Sequence, residues 1–137
     1  MTGRPPNRDQ HEAARCWVCG PENSEGLRIP LTVDGEVIRS TFTPQPYHQG
    51  YDGITHGGLI GAILDDVMAN CFYQRGETAY TVRMEVRFKQ PCPTGKPLYI
   101  EARIIERFGG RFATAEATAR LDDGTVVAES SGTFSIR

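Results

Sequence analysis

One stretch of helical periodicity, set in a chain otherwise built of strands and turns, most constrains how this sequence can fold. Leu59, Ile60, Ile63, Leu64, Val67, Met68, Cys71 and Phe72 recur in pairs at helical spacing and so share one broad apolar stripe. Thr55 is placed to cap that helix. Arg75-Gly76 suits its end, with a cation in the last turn and a glycine beyond. A stripe that wide has to be covered, and the rest of the chain offers strands to cover it. Leu27 to Val33 and Glu36 to Thr43 read as a pair joined at Asp34-Gly35, where glycine permits a tight hairpin turn.

After the helix the pattern is strand and turn to the end. Ala79 to Phe88 alternates in part, with Val82, Met84, Val86 and Phe88 on one face. Pro91, Pro93 and Gly95 interrupt it. Pro97 to Phe108, Arg111 to Leu121 and Thr125 to Ile136 then follow, divided by Gly109-Gly110 and Asp122-Asp123-Gly124. At 137 residues there is length for one core and not for two. The expectation is an α+β fold: one long central helix wrapped by a curved antiparallel sheet of about six strands. Residues 1–12 read as a mobile arm and residues 13–137 as a single domain. A sheet with one helix keeps open edges and an open face, so self-association is the natural way to cover them.

Composition removes several classes of partner. A formal charge of −2 argues against nucleic acid, which calls for a strongly basic face. Apart from Lys89 and Lys96 the basic side chains are all arginine. Arginine suits phosphate recognition, although compositional bias accounts for the pattern equally well. No apolar run reaches the length of a membrane span. The first fifteen residues are polar and lack the apolar centre of a signal peptide, so the expected location is the cytoplasm. Cys71 falls in the helix stripe and reads as a small core residue. Cys16-Trp-Val-Cys19 has the spacing of half a zinc site or of a redox pair, yet no second pair of ligands follows. It is therefore taken as a structural turn, with no metal or cofactor expected.

The residues able to carry chemistry gather at and along the helix. Its head reads Gly53-Ile54-Thr55-His56-Gly57-Gly58. The first N–H groups of a helix lack intrahelical partners, and glycines let a ligand oxygen approach them. Such a head can stabilise an oxyanion, although the same glycines also permit tight packing. On the helical wheel Asp65 lies near the middle of a second face formed by Gly58, Gly61, Ala62 and Ala69, whereas Asp66 lies beside Asn70 on a polar flank. A carboxylate among small residues can serve as general base or nucleophile toward something that comes close; the alternative is a solvated or ion-paired aspartate. His56 at the helix head could orient a carbonyl, and His48 with Gln49 in the preceding loop could hold a water. A lone loop histidine can equally be structural. There is no nucleophile elbow, phosphate-binding loop or dinucleotide fingerprint.

His56-Gly57-Gly58 followed by Leu-Ile-Gly-Ala-Ile-Leu-Asp65 resembles the hotdog-fold acyl-CoA thioesterases of the PaaI-like group, within the 4-hydroxybenzoyl-CoA thioesterase superfamily. The resemblance runs in order through nearly the whole chain, and Cys16-x-x-Cys19-Gly20 with Asn23 and Gly26-Leu27 extends it toward the N-terminus. It implies hydrolysis of acyl-CoA by a homodimer or a dimer-of-dimers tetramer, with substrate bound between subunits. By the same resemblance Asp65 is the catalytic carboxylate and the Gly57 amide the oxyanion donor. Thr81 orients the water or the carboxylate, and His56 takes part in catalysis. His48, Gln49 and Gly58 become candidates for substrate binding. One position departs: relatives with Asn six places before the histidine differ from this chain, which has Gly50. The alternatives are a non-catalytic acyl-CoA-binding hotdog protein, a hotdog hydratase or dehydratase, and a purely structural interaction domain.

Overall fold

The computed structural model describes residues 12–137. Its elements run β1 (Leu31–Asp34), β2 (Val37–Phe42), a 3-10 turn (Pro46–His48), α1 (Gly57–Tyr73), β3 (Ala79–Phe88), β4 (Leu98–Phe108), β5 (Phe112–Arg120) and β6 (Val126–Ile136). The strands form one six-stranded sheet in the order β1-β2-β4-β5-β6-β3, each neighbour antiparallel to the next. One helix against one antiparallel sheet is the hotdog arrangement the sequence led us to expect. The arm expected over residues 1–12 lies outside the described residues except for Glu12, which accepts a hydrogen bond from the Thr78 hydroxyl at 3.0 Å.

The helix stripe is the core. Leu64, Val67, Met68 and Phe72 have no exposed surface, and the Phe72 and Phe134 rings meet with centroids 5.2 Å apart. Opposite them β5 presents Ala113, Ala115, Ala117 and Ala119, all buried. Alanine at every second position lets a helix of bulky side chains settle close to the sheet. Gly132 on β6 continues the small row, since a Cβ there would come within 3.3 Å of the Met68 methyl and 3.0 Å of the Phe134 ring. Each fully buried side chain of this kind contributes about 1.5–3 kcal/mol of burial free energy.

Four local expectations are corrected. The first strand begins at Leu31 rather than Leu27, because the preceding backbone bonds elsewhere. Leu27 N–H donates to Trp17 O and Ile29 N–H to Val18 O, while Arg28 takes a positive φ of 50°. The helix cap is His56, not Thr55: the His56 ring accepts from Gly58 N–H, and Thr55 is buried with its own N–H bound to Cys92 O. The third concerns β3, where the register with β6 breaks between Thr81 and Arg83, leaving Val82 as an extra residue. That bulge separates Val82, which is 59% exposed, from Met84 and Val86, which pack on the core. The fourth is the helix end: α1 closes at Tyr73 with no cation in its last turn, Arg75 lies beyond the cap at Gln74 and donates from Nε to Cys71 O, and Gly76 follows, as expected, with a φ of 88°.

Candidate active site

The loop leading into α1 is tied down by its own polar groups. Gly50 N–H donates to Ile54 O and His56 N–H to His48 O, both at 2.9 Å. His48 Nδ1 accepts from Gln45 N–H at 2.9 Å, and burial pushes the His48 pKa below its ordinary value. Gln49 Oε1 accepts from Gly53 N–H at 2.9 Å. The two loop side chains expected to meet substrate thus spend an acceptor each on holding the loop in shape. Both hold the turn that leads into the helix.

At that head His56 is the N-cap, its Nδ1 accepting from Gly58 N–H at 2.9 Å. An accepting Nδ1 places the neutral ring's proton on Nε2, on an exposed side chain. Gly57 opens the helix, and its N–H has no hydrogen-bond partner among the described residues. It borders an open groove of about 330 Å³ lined by Ile54, Gly57, Ile60, Phe88, Pro91 and Cys92 among others. A Cβ on Gly57 would lie 3.4 Å from the Phe88 ring. The groove therefore joins an apolar wall to a free backbone donor at the positive end of a helix.

Asp65 sits two turns further along. Thr81 Oγ1 donates to Asp65 Oδ1 at 2.6 Å, so β3 fixes the carboxylate. The β3 bulge makes this contact possible, because it returns Thr81 to the helix side just before Met84. Around Asp65 the helix surface is open, and a Cβ on Gly61 would meet nothing within 4 Å. At 1.5 Å rise per residue, Asp65 and Gly57 of one chain lie roughly 12 Å apart along the axis.

Asp66 does not lie on an ordinary polar flank. The loop over residues 13–26 reaches it through two thiols: its Oδ1 accepts from Cys16 Sγ at 3.2 Å and Cys19 Sγ at 3.5 Å. Asn70 Nδ2 donates to its Oδ2 at 3.2 Å. Burial is the main cause pushing the Asp66 carboxyl up to about 8. The Cys spacing was visible in the sequence, but a partner 47 residues away was not.

Residues 52–128 match the family model described as the thioesterase superfamily. The chain belongs to the thioesterase superfamily. It is 29% identical over 93 residues to the acyl-coenzyme A thioesterase THEM5 of Mus musculus, a match covering 68% of this chain and 38% of that protein. The chain thus spans well under half the length of that relative. A crystal structure of a thioesterase superfamily protein superposes with a TM-score of 0.79 at 29% identity, covering 85% of this chain and 61% of that one. The Escherichia coli PaaI protein, from the phenylacetic acid degradation operon, shares the fold with a TM-score of 0.73 at 18% identity, over 80% of this chain and 79% of that one. Gly57, Asp65, Asp66 and Thr81 lie within the span that this thioesterase superfamily member shares with the family model; Cys16 and Cys19 lie outside it.

Proposed function

We propose that this chain hydrolyses acyl-CoA thioesters to free CoA and a carboxylic acid, at sites shared between two copies. The observation that carries the reading is the Asp65 carboxylate, held at 2.6 Å by Thr81 on a helix face where, among the described residues, a Cβ at Gly61 would meet nothing within 4 Å. A relative named as an acyl-coenzyme A thioesterase supports the substrate class. In the reaction the thioester oxygen accepts from Gly57 N–H, and His56 Nε2–H orients the acyl group. Asp65 takes a proton from water as the water oxygen bonds to the carbonyl carbon. The tetrahedral intermediate then expels CoA thiolate, which recovers the proton from Asp65. Direct attack by the carboxylate would give an anhydride that water opens, with the same products.

Two groups roughly 12 Å apart along a helix cannot both act on one carbonyl, which favours a second copy. β3 is an edge strand of ten residues with exposed Tyr80, Val82 and Phe88, the kind of edge that pairs. Antiparallel pairing of β3 about its centre would set Thr81 and Asp65 of one copy near Phe88 and Gly57 of the other. His48 and Gln49 would shape that entrance through the loop, with Gly58 leaving space for substrate at its rim.

The test is release of free thiol from a panel of acyl-CoAs. Asp65→Asn is expected to lower kcat at least about a hundredfold, and Thr81→Ala about tenfold through loss of one hydrogen bond to a charged group. Full turnover by Asp65→Asn would move the chemistry elsewhere. Absence of thiol release from every thioester by the wild type would overturn the reading.

A further inference from the structure

Away from that site, the N-terminal loop and the far flank of α1 bring together the Cys16 and Cys19 thiols and the Asp66 carboxylate, whose donor atoms all lie within 4.8 Å of one another. We propose that these three side chains form a binding site for a thiophilic divalent cation of the zinc class, with a fourth position left for water, and that the ion pins the loop to the helix.

The geometry is close to what such an ion requires. Tetrahedral ligands at zinc–sulfur and zinc–oxygen bond lengths sit roughly 3.3–3.8 Å apart. The carboxylate oxygen already lies 3.2 Å from one sulfur and 3.5 Å from the other. The loop is shaped to hold a thiolate, since Cys19 N–H points at Cys16 Sγ at 3.5 Å. Gly20 follows where a Cβ would fall 2.3 Å from Cys16 N and 2.6 Å from Ala14 O, so the tight turn that aims both sulfurs inward demands glycine.

A surrounding shell is also present. Asn70 Nδ2 donates to Asp66 O at 2.8 Å, to Asp66 Oδ2 at 3.2 Å and toward Cys19 Sγ at 3.7 Å. Gln74 Nε2 in turn holds Asn70 Oδ1 at 3.2 Å. Outer hydrogen bonds of this kind orient ligands around a metal. Charge points the same way. Among the described residues no arginine, lysine or histidine forms an ion pair with Asp66. A covered carboxylate facing two thiols therefore gains most from a cation that all three can share. Two sulfurs with one carboxylate select zinc-like ions over magnesium or calcium, which take oxygen ligands. The ion would be structural: it would bridge the loop to the helical turn next to Asp65 while taking no part in the reaction.

The experiment titrates the metal-free, reduced full chain with zinc against a chromophoric chelator, and with cobalt(II) read by its thiolate charge-transfer absorption. One equivalent of zinc is expected, with sulfur-to-cobalt bands. Cys16→Ser, Cys19→Ser and Asp66→Asn should each weaken binding at least tenfold, and Cys71→Ala, whose sulfur is not among the clustered donor atoms, should not. Circular dichroism establishes that each variant is folded; if Asp66→Asn is not, the stoichiometry and cobalt bands of the wild type with the two cysteine variants decide. Binding below one equivalent, binding undiminished in all three variants, or a Cys16–Cys19 disulfide that forms as readily with zinc present as without it would overturn the proposal.

Discussion

His56 carries two separable duties at the helix head. Its Nδ1 closes the first turn by accepting from Gly58 N–H, and its exposed Nε2 side is the part available to substrate. A cap is worth about 1 kcal/mol, and asparagine caps as well as any residue. His56→Ala should therefore lose about 1 kcal/mol in urea denaturation, and His56→Asn should stay near the wild type. If the ring also orients the thioester, both variants fall in kcat to a similar degree despite their different stabilities. Full activity in His56→Asn would confine the residue to its cap. Asp65 and Asp66 show the same division between neighbours, because adjacent positions on a helix point about 100° apart. One faces Thr81 and open space, the other two thiols and an amide.

Among the elements, β3 decides most about function. Its bulge at Val82 hands Thr81 to Asp65, and its outer edge is unpaired within the sheet. Val82 is 59% exposed in the single chain, so a charge there should cost a monomer no more than about 0.5 kcal/mol. In a pair joined about the centre of β3 the same residue falls opposite Glu85 of the other copy, where like charges repel. Val82→Asp is expected to shift the protein toward monomer in sedimentation equilibrium and to lose thiol release in parallel. A variant that stays dimeric and active would show that copies associate by another surface.

For the whole molecule the central question is whether a site belongs to one chain or two. Gly57→Pro removes the proposed oxyanion donor while keeping the helix, because the first helical position tolerates proline. His56, at φ −61° and ψ 128°, already has the extended backbone that a residue before proline adopts. Gly57→Pro and Asp65→Asn should each be nearly inactive alone. Mixed and allowed to exchange subunits, they should recover about a quarter of wild-type activity, since half of the random dimers carry one intact shared site of two. A mixture that stays inactive after exchange, verified by mass, would place both groups in the same chain's site. Within the described residues no helix is long and apolar enough to cross a membrane.

The periodicity of residues 59–72, the turns after residue 88 and the His56-Gly57-Gly58 head were legible because they are local. Side-chain period, glycine and proline placement and helix polarity act between near neighbours, so they determine the helix, the succession of strands along the chain and the candidacy of Asp65. They did not determine the sheet order: the four strands after the helix read as one meander, but β3 pairs with β6 and β4 with β2, a long-range choice. What the sequence could not reveal depends on contacts between distant segments. The cap passed from Thr55 to His56 because Cys92 claimed the Thr55 backbone. The start of β1 moved because Trp17 and Val18 bound Leu27 and Ile29. A single bulge reversed the face of Thr81, since one extra residue in a strand inverts everything beyond it. Cys16, Cys19 and Asp66 likewise became one cluster only when the chain closed around its helix, a juxtaposition that no spacing along the sequence encodes.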